Sequence, residues 1–364
     1  MTGPIRVLVA EDSLTVRRRL CEVLAGDRDI EIVGEAVDGK QAIELCQRLK
    51  PDVVTMDMMM PVMSGLAATE FIMAHCPTPI LVVSSSMNRG EVFKTYEALA
   101  AGAVDVLDKP GADVVDGEWE ARLVRTLKLV SRIRVITHPR GRLGIRPPTR
   151  PDLPAGVPPS VSLQAGAVPH PCEVVVIGAS TGGPGAILEV LRGLRQPFPV
   201  PILFVLHIGE PFGGAFADWL DGQTGFRVAY ASDGDRVGAG TGRVVMAPPD
   251  VHLEVRQRRL RLSHDSMRHS CRPSVDVLFE SIAREYGAGA VAVLLTGMGR
   301  DGANGLLDIR RAGGFTIAQD EASSVVYGMP REAMLLDAVD RQLPLADIGP
   351  ALSLMAAAAE RKTP

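Results

Sequence analysis

The sequence predicts an α/β protein with two doubly wound, mainly parallel sheets, one in each half of the chain. Short β-branched runs alternate with amphipathic helical patterns in both halves, which is typical of parallel sheets covered by helices. The 364 residues are enough for two domains. Between the halves, residues 138–172 contain nine of the 27 prolines and follow neither a helical nor a strand period.

The first half, residues 1–137, contains five strand–helix units and therefore predicts a five-stranded parallel sheet. Amphipathic patterns separate the strands, and WEARLVRTLKLVSRIRV (119–135) closes the half as a helix with apolar residues three and four positions apart. The strand candidates are IRVLVA (5–10), IEIVGEA (30–36), PDVVTMD (51–57), PILVVSS (79–85) and AVDVLDK (103–109).

Residues 138–172 predict an extended, semi-rigid linker, because proline fixes φ and removes a backbone donor. A long surface loop inside one domain is the alternative, but structureless loops of this length are uncommon in compact domains. We therefore expect domains at 1–137 and 173–364.

The second half predicts a further mainly parallel sheet with a β-rich insertion. CEVVVIG (172–178) and PILFVLH (201–207) each lead into a helix, and the insertion contains RVVMAPP and the hairpin-like VHLEVRQRRLRLS. The strands GAVAVLLTG (289–297) and FTIAQ (315–319) follow, with further helices near the C-terminus. The helices are expected over 184–194, 211–221, 274–285 and 301–312.

Composition narrows the classes of function. A net charge of −4 does not favour general binding to nucleic acid or to an anionic membrane. No apolar run is long enough to span a bilayer and the N-terminus lacks a secretory signal pattern, so we expect a cytoplasmic protein without membrane insertion. The five scattered cysteines suggest buried or incidental thiols in a reducing compartment, neither a disulfide framework nor a zinc site.

Polar side chains follow four strands of the first half, at the edge where parallel sheets bind ligands. Glu11 and Asp12 follow the first strand and Asp57 ends the third. Three carboxylates at one edge repel each other unless a cation is present, and hard oxygen ligands suit Mg²⁺. Ser84 and Lys109, at the ends of the fourth and fifth strands, supply donors for a phosphoryl group.

This set of residues, in this order, resembles the receiver domain of bacterial two-component response regulators over most of residues 1–137. The resemblance implies a flavodoxin-like fold that is phosphorylated on Asp57 by a histidine kinase. It implies Mg²⁺ held by Glu11, Asp12 and Asp57 for that reaction. It also implies that Ser84 and Lys109 recognise the phosphoryl group.

In the second half, VVVIGASTGGPGA (174–186) ends an apolar run at a turn of small residues that contains Ser180. GASTG fits the G-x-S-x-G pattern of a nucleophile elbow, where small neighbours permit a sharp turn that exposes the hydroxyl. An ordinary strand–helix turn capped by Ser180 or Thr181 is the alternative. The glycines could also cradle a nucleotide phosphate, but they match neither G-x-G-x-x-G nor the P-loop spacing.

A serine nucleophile requires a base, and His207 ends the next buried strand. His252, in the apparent hairpin, is the second choice, and a structural, hydrogen-bonded role is the alternative for His207. VLLTGMGRDGANG brings Asp301 to a third strand end, where it could orient the base or cap a helix. Because these strand ends share one edge of a parallel sheet, Ser180, His207 and Asp301 predict a catalytic triad.

The motifs IGASTGGPGA, LHIGEPFGGAFADWL, APPDVHLEV, RPSVDVLF, LLTGMGRDGANGL and AQDEASSVVYGMPREA resemble the catalytic domain of bacterial chemotaxis protein-glutamate methylesterases. Receiver, linker and esterase occur here in that family's order. The resemblance implies a Rossmann-like esterase domain with nucleophile Ser180, base His207 and orienting Asp301. It places Thr181 and Met298 at the site, with the Met298 amide as an oxyanion donor.

The resemblance implies a phosphorylation-controlled enzyme of chemosensory adaptation. Its substrate would be a methylated chemoreceptor, whose glutamyl methyl esters it hydrolyses and whose glutamines it deamidates. The unphosphorylated receiver is expected to cover the esterase cleft, and the esterase step is expected to need no cofactor. A phosphorelay sink or scaffold, whose second domain docks partners without catalysis, is the alternative.

Overall fold

The computed structural model describes residues 3–85, 89–109, 117–133, 135, 171–209, 212–238 and 242–360. The chain divides into two compact units, Met1–Pro151 and Asp152–Pro364. The expected linker lies outside the described residues except for its last two positions, so the linker and the boundaries at 137 and 173 stay predictions. Within the described ranges, no helix combines the length and apolar character that crossing a bilayer requires.

The first unit contains a five-stranded parallel sheet in the order β2-β1-β3-β4-β5. The chain winds to one side of β1 and then to the other, which confirms a doubly wound α/β fold. The strands are β1 (Ile5–Ala10), β2 (Ile30–Ala36), β3 (Val53–Met56), β4 (Ile80–Ser84) and β5 (Asp105–Asp108). The helices are α1 (Leu14–Ala25), α2 (Gly39–Leu49), α3 (Gly65–His75), α4 (Arg89–Ala100) and α5 (Glu118–Val130).

The central strands of this unit are apolar and buried because helices cover both faces of the sheet. All residues of β3 and β4 are buried. The expected third and fourth strands are each shorter than their sequence runs, and both runs begin with a proline that has no ladder donor, Pro51 and Pro79. At their carboxyl ends the two strands stop at Met56 and Ser84, beside the buried Asp57.

The second unit contains a seven-stranded parallel sheet in the order β14-β13-β12-β6-β7-β9-β8 and a separate antiparallel hairpin, β10–β11. Its first strands are β6 (Val174–Ala179), β7 (Ile202–Leu206), β8 (Arg227–Tyr230), β9 (Arg243–Met246), β10 (His252–Arg256) and β11 (Arg259–Ser263). The remaining strands are β12 (Ala290–Leu294), β13 (Phe315–Gln319) and β14 (Arg341–Leu343). The helices are α6 (Gly183–Gly193), α7 (Phe216–Gln223), α8 (Val275–Tyr286), α9 (Ala303–Arg311), α10 (Met329–Leu335) and α11 (Leu345–Glu360).

Three details of this unit differ from the sequence prediction. The helix expected over 211–221 starts as a 3₁₀ turn, Phe212–Ala215, where two adjacent glycines disfavour an α-helix. The strand expected over 289–297 ends at Leu294, because the next residues turn away to form part of the candidate site. The edge strand β14 was not predicted, since its three residues are mostly exposed and carry no apolar pattern.

Helix α8 approaches the sheet closely because two neighbouring positions have no side chain. A Cβ on Gly178 would lie 2.2 Å from Val275 Cγ1, and a Cβ on Gly302 would lie 2.6 Å from the same atom. Val275 is fully buried at the first turn of α8. The two glycines therefore let the N-terminus of α8 reach the carboxyl ends of β6 and β12.

We predict that Gly178→Ala destabilises the second unit by about 1–3 kcal/mol, because the new methyl group overlaps Val275 in a packed core. Urea unfolding followed by the fluorescence of the buried Trp219 measures the change. Gly222→Ala is the matched control, since a Cβ there meets nothing within 4 Å. Equal stability of the two variants would contradict the packing argument.

Candidate active site and candidate phosphorylation site

The structure brings Ser180, His207 and Asp301 to one edge of the second sheet. They follow the adjacent strands β6, β7 and β12. Ala179 pairs with Leu206, so Ser180 and His207 are the next positions in the same register. The His207 amide also donates to the Ala179 carbonyl at 3.0 Å. The three predicted residues are therefore neighbours, as the shared edge of a parallel sheet requires.

Asp301 is buried, 2% exposed, and its carboxylate has four hydrogen-bond partners. Its Oδ2 lies 2.9 Å from His207 Nε2 and accepts from the Val275 amide at 2.8 Å. Its Oδ1 accepts from the Ser274 hydroxyl at 2.7 Å and from the Asp276 amide at 3.0 Å. Asp301 thus binds the candidate base and also caps α8, although the sequence suggested a cap only on its own helix.

These contacts shift the pKa of both groups. Burial alone raises the pKa of Asp301, but hydrogen bonds and the charge of His207 outweigh it and hold the pKa below its usual range. Burial favours the neutral form of His207, but the hydrogen bond to Asp301, followed by the nearby Cys271 thiol, raises its pKa to about 9. Because 9 lies above the usual value of about 6.5, the contribution of His207 to stability is full below pH 6.5 and is lost as the pH rises to 9, whereas the contribution of Asp301 is lost in acid as its carboxylate becomes protonated.

His207 Nε2 is hydrogen-bonded to Asp301, so Nδ1 is the ring nitrogen that can act as a base. The Cys271 sulfur lies 3.8 Å from Nδ1. The Ser180 hydroxyl has no hydrogen-bond partner among the described residues, and the expected contact of about 2.6–3.2 Å with His207 is not made. Such contacts are often long in free enzymes and tighten when substrate binds.

The turn that carries Ser180 is fixed by Thr296, a residue that sequence reasoning missed. The Ser180 amide donates to the Thr296 carbonyl at 3.0 Å, and the Thr296 hydroxyl donates to the Thr181 carbonyl at 2.9 Å. The Thr296 amide in turn donates to the buried Gln319 side chain at 2.8 Å. The only sequence signal for this role is the threonine of LLTGMGRDG, and the residues that Thr296 contacts are distant from it in the sequence.

Thr181 and Met298 both lie beside Ser180. Thr181 is the next residue in the turn, and Met298 follows Gly297, where a Cβ would lie only 2.8 Å from Ser180 Cβ. Met298 is 39% exposed, so it lies at the open side of this edge. Helix α6 begins at Gly183, which places its positive N-terminal end at the same turn.

His252, the second choice for the base, has a structural role. It is 1% exposed, its Nδ1 accepts from the Ser274 amide at 3.1 Å, and its Nε2 lies 3.2 Å from the Ser266 carbonyl. Both ring nitrogens are engaged, so this side chain has no free lone pair for a serine proton.

In the first unit, the three predicted carboxylates meet at the carboxyl ends of β1 and β3. Oxygen atoms of Glu11, Asp12 and Asp57 lie within 4.8 Å of one another. Lys109 Nζ lies 3.0 Å from Glu11 Oε2 and 3.0 Å from Asp57 Oδ1. Burial, followed by the charge of Asp57, raises the pKa of Glu11 to about 7, and burial also raises the pKa of Asp57.

This cluster has the properties of a site for a hard divalent cation. One ammonium faces three carboxylates, so negative charge is in excess. Glu11 Oε2 and Asp57 Oδ1 are buried and accept no well-directed hydrogen bond from the residues that the structure describes, although each is close to the Lys109 charge. Oxygen ligands of this kind match the preference of Mg²⁺.

Ser84 is at the end of β4 as predicted, but its hydroxyl is directed to helix α4. It donates to Glu91 Oε1 at 3.1 Å, and the Ser85 amide donates to the same oxygen at 2.9 Å. The Lys109 amide donates to the Ser84 carbonyl at 3.0 Å, so the two predicted phosphate-reading residues are backbone neighbours. Sequence reasoning missed Glu91, whose signal is an acidic residue in the first turn of α4.

Comparison with known proteins gives consistent results for both units. A family model described as CheB methylesterase matches residues 175–352, and one described as response regulator receiver domain matches residues 7–115. A protein-glutamate methylesterase/protein-glutamine glutaminase of Anaeromyxobacter dehalogenans is 45% identical over 96% of this chain and 96% of its own length. One from Geobacter metallireducens is 43% identical over 97% and 99%. The crystal structure of the Thermotoga maritima CheB methylesterase catalytic domain, 34% identical, covers 50% of this chain and 97% of its own, with a TM-score of 0.48.

We predict that the His207 ring titrates near pH 9 and that Asp301→Asn moves the midpoint below that value. Without the carboxylate, burial is the dominant influence and favours the neutral ring. NMR titration of ¹³C-labelled histidine side chains in the full-length protein measures both midpoints. Asp347→Asn, a change in α11, serves as the control, and an unchanged midpoint in Asp301→Asn would contradict the role of this pair.

Proposed function

Because the chain belongs to the family of CheB methylesterases that carry a response regulator receiver domain, we propose that it is a phosphorylation-controlled protein-glutamate methylesterase. Its substrate is a methylated chemoreceptor, on which it converts glutamyl methyl esters to glutamate and methanol, and glutamine to glutamate and ammonia. The observation that carries this proposal is the 2.9 Å hydrogen bond between His207 and Asp301 at the strand end next to Ser180.

The proposed reaction begins when Ser180 Oγ attacks the ester carbonyl carbon and His207 Nδ1 accepts the hydroxyl proton. The bond to the methoxide oxygen then breaks, and His207 delivers this proton to the methoxide, which leaves as methanol. Water attacks the acyl-enzyme while His207 accepts a proton from it. The bond to Ser180 Oγ breaks, and the proton returns to the serine. With a glutamine substrate the leaving group is ammonia.

Asp301 has two roles in this proposal. It holds the neutral ring with its proton on Nε2, which leaves the Nδ1 lone pair directed away from Asp301. It also stabilises the imidazolium that forms when Ser180 loses its proton, consistent with the raised pKa of His207. Since three donors of α8 and its cap fix the carboxylate, the base is positioned before substrate arrives.

The developing oxyanion needs donors close to Ser180. We assign this role to the Met298 amide, assisted by the positive N-terminal end of α6. Thr181, beside the nucleophile, lines the substrate side of the turn. A Cβ on Gly297 would lie only 2.8 Å from Ser180 Cβ. A side chain at 297 would therefore displace Ser180 from the Met298 amide, which is consistent with the assigned role of that amide.

The first unit would control the second through phosphorylation of Asp57 by a histidine kinase. Glu11, Asp12 and Asp57 would hold Mg²⁺, which when bound offsets the charge of the incoming phosphoryl group. Lys109 remains close to Asp57 and contributes a further positive charge. Phosphorylation would relieve inhibition of the esterase by the receiver. In this proposal the protein acts in the cytoplasm, and its partners are the kinase and the receptor, not a nucleic acid.

Ser84 would carry the signal from Asp57 to α4. In the described state its hydroxyl is held by Glu91, a residue of that helix. A phosphoryl group on Asp57 is a strong acceptor and would compete with Glu91 for this hydroxyl. Release of Glu91 would then alter the first turn of α4, which makes this helix the element expected to respond.

We predict that Ser180→Ala lowers methanol release from methylated receptor by at least about 10³-fold, because no other described group replaces the nucleophile. The assay uses the purified full-length protein and receptor membranes carrying a radiolabelled methyl group. Ser263→Ala, in the hairpin, is the matched control. A serine-reactive phosphonate should label the wild type and not Ser180→Ala. Absence of both activity and labelling in the wild type would favour a docking scaffold instead.

We predict that a small-molecule phosphodonor with Mg²⁺ raises wild-type esterase activity by about fivefold or more, and that Asp57→Asn removes this response. The variant keeps the shape of the side chain but cannot form the acyl phosphate. Methanol release is measured for each protein with and without the donor. Activation of Asp57→Asn by the donor would show that control does not pass through this residue.

A further inference from the structure

We propose that Cys271 and His207 form a binding site for a zinc-class divalent ion, which blocks the base. Cys271 Sγ lies 3.8 Å from His207 Nδ1, and ligand atoms of His207, Cys271 and Asp301 all lie within 4.8 Å of one another. Imidazole and thiolate are the ligands that such metals prefer. The binding stands independently of the proposed function, while the inhibition rests on it.

The distance between Cys271 Sγ and His207 Nδ1 is close to the distance between two ligand atoms of a zinc site. Bonds of about 2.0–2.1 Å to nitrogen and 2.3 Å to sulfur in a tetrahedron separate the two ligand atoms by roughly 3.5 Å. The observed separation is 3.8 Å, so a small movement is sufficient. Asp301 is bound to the other ring nitrogen of His207, at 2.9 Å, which is the carboxylate–histidine arrangement found behind metal ligands.

A tight turn holds Cys271 against the histidine. The Arg268 amide donates to the Cys271 carbonyl at 3.1 Å, and the Cys271 amide donates to the Arg268 carbonyl at 2.8 Å. The two residues between them, His269 and Ser270, have φ of 51° and 61°, which is uncommon for residues other than glycine. The thiol is therefore positioned by the backbone, and because Cys271 is only half-buried, an ion can reach it from solvent.

The basic side chains on either side of Cys271 are paired with carboxylates and not with its sulfur. Arg268 pairs with Glu280 at 2.8 Å, and Arg272 pairs with Asp250 at 2.8 Å. Both guanidinium groups are thus engaged by carboxylates of their own. A divalent ion that binds the sulfur displaces the thiol proton to solvent, and the guanidinium charges beside it are already offset by carboxylates.

The neighbouring cluster of His269, Asp276 and Asp301 is a poorer candidate. His269 Nε2 is bonded to Asp276 at 3.0 Å, and its Nδ1 accepts from Arg300 at 3.3 Å. Neither ring nitrogen has a lone pair to spare, and the Arg300 charge repels a cation. Cys271 and His207, by contrast, face each other, and the Nδ1 lone pair becomes available to a metal ion when the ring loses its Nδ1 proton.

Bound metal would occupy the electron pair that accepts the Ser180 proton. No covalent step is involved, so removal of the ion by a chelator restores the base. The sequence predicted no zinc site, because its five cysteines are scattered. These two ligands are 64 positions apart and are brought together by the turn and by β7.

The test uses Co²⁺ as a spectroscopic probe of the full-length protein, with excess Mg²⁺ to saturate the receiver carboxylates. The wild type should show a thiolate-to-cobalt charge-transfer band, and Cys271→Ser and His207→Gln should lose it. Cys21→Ser, which changes another half-buried cysteine in the first unit, is the matched control and should retain it. A wild type without the band, or a Cys271→Ser with an undiminished band, would overturn the proposal.

The second arm measures inhibition by Zn²⁺, with each variant normalised to its own metal-free activity. Cys271→Ser should require at least about tenfold more Zn²⁺ for half-inhibition, and a chelator should restore wild-type activity. Equal inhibition of both proteins would overturn the inhibitory role. A cobalt band in a protein without esterase activity would reject the proposed function and leave the metal site standing, so the two failures are distinguishable.

Discussion

The arrangement of the second unit depends on how one carboxylate, that of Asp301, is held. Its oxygens accept from the first turn of α8 and from the Ser274 cap, and one of them also binds His207. This is possible only because α8 comes close to the sheet at Gly178 and Gly302. Helix capping, sheet packing and the orientation of the base therefore all depend on Asp301. A substitution that disturbs one of them is expected to disturb the other two.

In both units the polar residues lie at the carboxyl end of a parallel sheet, but the pKa values of their buried carboxyl groups are shifted in opposite directions. In the second unit, the hydrogen-bond donors around Asp301 and the charge of His207 outweigh the effect of burial, so the pKa of Asp301 falls. In the first unit, burial, followed by the charge of Asp57, outweighs the charge of Lys109 and raises the pKa of Glu11 to about 7. The saturated carboxylate suits a fixed orienting role. The unsaturated cluster suits a site that takes up a cation and a phosphoryl group.

The sequence was sufficient to predict the fold class and the strand ends at which the residues of both candidate sites lie, because apolar runs ending in polar residues identify the carboxyl ends of strands. It did not predict the partners of those residues. The cap of α8 by Asp301, the support of Ser180 by Thr296, and the contact of Ser84 with Glu91 join distant positions or depend on side-chain direction. The strand β14 was missed because its exposed residues have no periodic pattern.

The close approach at Gly178 also has a consequence for the history of the sequence. Since Val275 Cγ1 would lie 2.2 Å from any Cβ at this position, a side chain at 178 fits the present packing only if the residue at 275 is smaller than valine. A lineage that acquires alanine at 178 while keeping valine at 275 carries the cost of that overlap, and a smaller residue at 275 relieves it. Residues 178 and 275 should therefore covary among descendants of this sequence, although they lie far apart in the gene.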